Sequence, residues 1–198
     1  MSVEILSFCM EALRLKRMLR NGWVFSGVAA AEVESVADHS YMVSLLAMLI
    51  ALHEQEKEKK IDLEKVLIMA LIHDLSESVS QDIDRRIAKF APEEFTAFKK
   101  KLDKQALAFL LEKLSPGMQT KLSAIFEDYQ QQQSPEARIV SEADRLETIF
   151  QLKEYIMLGK QRENFSEFYA NFKEEKEKFQ NPLVKELARL LLQEETEK

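Results

Sequence analysis

Glycine and proline are scarce, with four of each among 198 residues. Sheets joined by tight hairpins consume both, so the shortage argues against all-β architectures and for helices linked by short turns. Cysteine is rarer still. The single thiol, Cys9, can close no internal disulfide, which suits a reducing compartment and a small buried hydrophobe at that position. Positive charge is not in excess either: the net charge of −6 argues against duplex nucleic acid or an anionic membrane as the main partner. The longest apolar stretch, YMVSLLAMLIAL, is short for a bilayer crossing and reads as a core helix. The first residues carry an acid and lack a small-residue cleavage site, so the expectation is a cytoplasmic protein. No Gly-rich phosphate loop of the Walker type occurs, which sets aside NTPases of that class.

What is present is helical periodicity from end to end, at a length suited to one domain. It predicts helices over residues 3–19, from Ser35 to about His53, over Leu63–Glu77, over Asp82–Phe90 and from Pro135 to Gly159. Ser35 with Asp38 three residues on forms a capping-box pattern, Asp62 can cap the next helix, and Pro92, Pro116 and Pro135 stand near helix starts. Asn181-Pro182 opens the last amphipathic segment, and Asn21–Glu34, holding two of the four glycines, is expected to be a loop. The helix from Leu63 is apolar nearly all round and is expected at the centre. The expected fold class is all-α: a compact helical bundle forming a single domain over residues 1–198, with its functional core at about 35–150.

Two of the three histidines lie in polar islands on otherwise apolar helices, SVADHSYMVS and LIHDLSE, and a third island is VSEADRLE. Adjacent helical residues point about 100° apart, so His73 and Asp74 can grasp one ion over the groove between them. Glu77 falls one turn later on the same side, next to a water in the outer shell of such an ion. His39 and Asp144 could complete the set from neighbouring helices, leaving positions open for water and substrate. A histidine-aspartate pair alone is more often a satisfied core pair; the two other islands lower the weight of that reading. His53 ends a helix beside a charged turn and reads as surface. Ser35, Ser76 and Ser78 have no free histidine to activate them and read as caps or supporting partners. Trp23 and Phe25, in the glycine-bearing loop, suit either stacking on a base or closing a lid over the core.

The order His39, His73-Asp74, Asp144 resembles the metal signature of the HD superfamily of phosphohydrolases. LKRMLRNGW, ESVADHSYMVSLLAMLIA, LIHDLSESVSQDI, EADRLE and KFQNP resemble its 5′-deoxynucleotidase branch, in that branch's order, from about Leu13 to Leu187. The resemblance implies that His39, His73, Asp74 and Asp144 hold one divalent metal ion. It implies that Glu77 activates the attacking water, that Asp82 is a second acidic residue at the substrate, and that Arg20 meets the phosphate. It further implies a compact all-helical homodimer that releases phosphate from deoxynucleoside 5′-monophosphates. A mixed N/O ligand set suits Mn, Co, Fe, Ni or Zn. The chain departs from the family at Leu19, where proline is usual, and at Gln81, where glycine is usual; QDIDRRIAKF lacks the proline common after its DI. These changes flank the pocket and bear on substrate preference.

Two other readings compete. Binuclear HD phosphodiesterases and pyrophosphohydrolases often recruit further histidines downstream, and none follows His73 here. A non-catalytic helical protein with a structural metal has no need of Glu77, Asp82 or Arg20.

Overall fold

The computed structural model describes residues 2–193, and the α-helices among them are α1 (Ser2–Ala12), α2 (Asn21–Phe25), α3 (Val36–Glu56), α4 (Leu63–Ile72), α5 (Glu77–Ser80), α6 (Pro92–Leu111), α7 (Pro116–Gln131), α8 (Pro135–Met157), α9 (Ser166–Lys178) and α10 (Pro182–Gln193). No strand occurs among the described residues; a lone antiparallel bridge joins Leu19 to Ser35.

Several starts follow from capping chemistry. Ser35 Oγ accepts the Asp38 N–H at 3.2 Å, and Asp38 Oδ2 accepts the Ser35 N–H at 2.9 Å, closing the capping box of α3. Asp62 Oδ1 accepts the Lys65 N–H at 3.0 Å before α4, and Ser134 Oγ accepts the Ala137 N–H at 3.1 Å before α8. Each such cap stabilises its helix by about 1 kcal/mol. Gly159, at φ 85°, ends α8 in the left-handed region that glycine enters without a Cβ clash.

The core centres on three helices. α3 packs against α8 and α4, and α4 packs against α8. Val43, Ala47 and Ile50 of α3, Met69 and Ala70 of α4, and Val140, Ala143 and Leu146 of α8 are buried together. By length and composition α3 could cross a membrane, yet this face of it lies inside the protein, as a core helix requires. α4 is less enclosed than its pattern suggested, because Leu71 is exposed. α7 covers α4 and α8, and α10 covers α8.

The departures from expectation cluster where the backbone changes character. The first helix stops at Ala12 and continues as a 3-10 turn, Leu13–Arg17. Extended pairing then takes over, with Val36 N–H donating to the Met18 carbonyl and Arg20 N–H to that of Glu34. α1 buries none of its residues, so Cys9 is exposed rather than buried. The expected loop at 21–34 begins with α2, because the Asn21 N–H is held by Asp82 Oδ2 at 2.5 Å. The helix expected over Asp82–Phe90 is only a 3-10 turn, Arg85–Lys89. Finally, the helix expected to reach Glu77 stops at Ile72. There the His73 ring takes the Ala70 carbonyl, and the following N–H groups of Leu75, Glu77 and Ser78 bond three residues back.

Candidate metal centre and active site

The core trio of helices brings the polar islands to one point. His39, one turn into α3, is fully buried, and its Nδ1 lies 2.6 Å from Glu147 Oε2 on α8. His73 follows α4, and its Nδ1 donates to the Ala70 carbonyl at 2.7 Å. With Nδ1–H so engaged, each ring leaves Nε2 to take a metal or a proton, and neither Nε2 has a hydrogen-bond partner. Both aim at carboxylates: His73 Nε2 lies 3.3 Å from Asp74 Oδ2, while His39 Nε2 lies 3.6 Å from the same oxygen and 3.2 Å from Asp144 Oδ1. One ligand atom from each of His39, His73 and Asp74 falls within 4.8 Å of the others. Orphaned buried nitrogens facing anionic oxygens are costly unless a cation sits between them. The donor set therefore fits a divalent ion, with Asp144 joining through the shared His39. A second grouping, Glu34, His39 and Glu147, reuses His39 on the Nδ1 side and supports the ring.

The electrostatics agree. Burial and Arg20 oppose charge on His39, but Asp144 and Glu147 prevail and push it up to about 10. Burial likewise opposes charge on His73, and Asp74 raises it. Burial would raise both aspartates, yet His73 holds Asp74 well below the carboxylate range and His39 does the same for Asp144. The pocket demands positive charge, supplied by protons on the rings or by a metal that displaces them.

Around this centre, Glu77 begins α5 and is buried. Its Oε1 accepts from Lys99 Nζ at 3.0 Å, while Oε2 has no partner. Burial first, then Asp74, pushes its carboxyl up to about 8. Lys99 also donates to Asp103 at 2.8 Å. Arg20 Nη1 lies 3.5 Å from Asp74 Oδ2 and 3.8 Å from Asp82 Oδ1; burial opposes its charge, and these acids more than restore it. Asp82 also receives two hydrogen bonds from Asn21, so it fixes the segment that carries Arg20.

A cleft of about 880 Å³ adjoins this centre, lined by Arg20, Asp82, Asp144, Arg85, Arg86 and Phe168 among others. Trp23 borders it but offers no open ring: it is 1% exposed, stacks on Phe168 at 4.1 Å and donates its indole N–H to Glu34 at 2.7 Å. Of the two readings of Trp23, the structure matches the one that packs it over the core; the ring face needed for stacking on a base, and with it the substrate-binding role, is taken by the protein's own aromatic cluster. Phe25 is exposed beneath Arg86. His53 is half-exposed near Glu56.

Sequence reasoning missed Glu147, Glu34, Lys99 and Arg85. Glu147 carried a signal, since it falls three residues after Asp144 on a helix face that is otherwise apolar. Lys99 stands in a run of three lysines and carried none.

Gln81, between Glu77 and Asp82, adopts φ 69° and ψ 157°, a region open essentially to glycine. Gln81→Gly is expected to stabilise the protein by about 1 kcal/mol, read as a Tm rise of ~2–4 °C. A lower Tm would mean that the glutamine side chain compensates its own backbone.

The HD domain family model matches residues 12–188, and the chain belongs to this family. It is 32% identical over 193 residues to the 5′-deoxynucleotidase HDDC2 of Danio rerio, covering 96% of this chain and 88% of the relative. The 5′-deoxynucleotidase hdd1 of Schizosaccharomyces pombe is 30% identical over 197 residues, covering 98% and 91%. Among solved structures, a conserved hypothetical protein from Pyrococcus furiosus superposes with a TM-score of 0.71 at 30% identity, covering 93% of this chain and 99% of that one.

Proposed function

We propose that this chain is a metal-dependent phosphohydrolase that releases phosphate from deoxynucleoside 5′-monophosphates. The observation that carries the reading is the pair of buried, unpartnered Nε2 atoms converging on Asp74 and Asp144. His39, His73, Asp74 and Asp144 would hold one divalent ion, of Mn, Co, Fe, Ni or Zn. Such an ion supplies Lewis acidity, acidifying a water and polarising the phosphoryl group. Arg20, which lines the cleft, binds the phosphate, turning from Asp74 and Asp82 to the anion. Glu77 accepts the proton of the attacking water through its free Oε2, while Lys99 holds Oε1 in place. Asp82 keeps Arg20 and α2 in register. The names of the relatives supply the nucleotide. The resemblance supplies a homodimer, and the single cysteine suits a cytoplasmic setting.

The test is phosphate release from deoxy- and ribonucleoside 5′-monophosphates with each of several divalent metals. Metal-dependent release is expected, and silence on all of them would refute the reading. Arg20→Ala should keep its metal but lose roughly ten- to a hundredfold in kcat/KM, the range of a charge-assisted contact worth about 1.5–3 kcal/mol. Wild-type kinetics in that variant would put Arg20 outside the reaction.

A further inference from the structure

The cations that line the cleft are mostly committed to neighbours. Arg86 is held by Asp84 at 2.6 Å and Glu167 at 3.4 Å, and Arg145 by Glu175 at 2.8 Å, where Lys178 also pairs. Arg85 differs. Its side chain is 82% exposed, its guanidinium makes no hydrogen bond among the described residues, and its ion pair is a long 3.9 Å contact from Nη2 to Asp144 Oδ2. Asp144 and Asp74 both approach His39 Nε2, and Arg20 stands 3.5 Å from Asp74. Two guanidiniums therefore border the same point, Arg20 beside Asp74 and Arg85 beside Asp144. Arg85 and Arg86 also stand in the segment that lacks the family's proline.

We infer that Arg85 is a second phosphate-binding residue, closing on the phosphoryl group opposite Arg20 and selecting dianionic phosphate monoesters over diesters. This rests on the phosphohydrolase reading above. When Asp144 turns to a cation, the long contact to Arg85 is released, and its five donors are free to fork onto phosphate oxygens. A monoester carries the second negative charge that two guanidiniums reward; a diester does not.

The test uses the full chain loaded with Mn²⁺, titrated calorimetrically with inorganic phosphate, with a nucleoside 5′-monophosphate on the Glu77→Gln background, and with the phosphate-free nucleoside. Arg85→Ala should weaken both phosphate-bearing ligands roughly ten- to a hundredfold, leaving nucleoside affinity and metal content unchanged. Arg85→Lys should recover only part, because the planar fork is lost. Arg85 is exposed on a 3-10 turn, so the variants are expected to fold. Unchanged phosphate affinity in Arg85→Ala overturns the inference. So does tighter metal binding with unchanged phosphate affinity, which would make Arg85 a stand-in for the cation at Asp144. If Arg20→Ala weakens phosphate and Arg85→Ala does not, this inference alone falls. If the wild-type protein binds no phosphate, both it and the functional reading fall.

Discussion

His73→Ala and Asp74→Ala are each expected to empty the metal centre and abolish phosphate release. Each removes a side chain whose ligand atom faces the others within 4.8 Å, and no further histidine stands near enough to substitute. His73 is the safer of the two histidines to remove. Its Nδ1 engages only the Ala70 carbonyl, whereas loss of His39 would leave Glu147 as a buried carboxylate without its partner. Glu147→Ala provides a graded companion. It touches the back of the His39 ring and not the metal point, so metal affinity should fall by about 10–100-fold and not vanish. Elemental analysis of the purified variants, with helicity checked by circular dichroism, gives the answer. Full metal occupancy in both His73→Ala and Asp74→Ala would overturn the ligand assignment.

Glu77→Gln is expected to leave metal and substrate bound while kcat falls by about a hundredfold or more. The amide keeps the shape of the side chain, and Lys99 retains Asp103 at 2.8 Å, so the local packing survives. What disappears is a proton acceptor. The wild-type carboxyl, pushed up to about 8 by burial and then by Asp74, must lose its proton to act. Rate should therefore climb as pH rises toward 8. A cation beside Asp74 offsets the negative charge that raises the carboxyl, so the limb of the loaded enzyme lies below that value. In the glutamine variant this acidic limb should flatten. Loss of metal instead would make Glu77 a ligand, and full activity would transfer the base role to another acid, with Asp82 the first to examine.

Much of this site was legible because its residues break a pattern. His39, His73 and Asp144 are polar groups on helices whose periodicity demands apolar ones, and the caps at Ser35 and Asp62, with Pro135, mark where those helices begin. What could not be read is the backbone between helices. The tightened turn after Ile72 arises from a side chain seizing a carbonyl, and the short α2 arises from Asp82, sixty-one residues away, holding Asn21. Neither contact leaves a trace in local propensity. Trp23 illustrates the converse. Its composition suits a base-stacking platform, and only the packing of Phe168, Tyr155 and Phe165 around it shows the ring to be already occupied.

That occupation has an optical consequence. Trp23 is the chain's one tryptophan, so the intrinsic indole emission of the protein comes from a single dry site. Its N–H rests on Glu34, whose same oxygen lies 3.9 Å from Arg20. Were Arg20 to leave Asp74 for an anion, as the proposed function requires, the charge beside the fluorophore would be rearranged one contact away. With Arg20 on the anion as proposed, filling of the cleft is expected to register in the emission of one side chain, with no label attached and no second tryptophan to blur it.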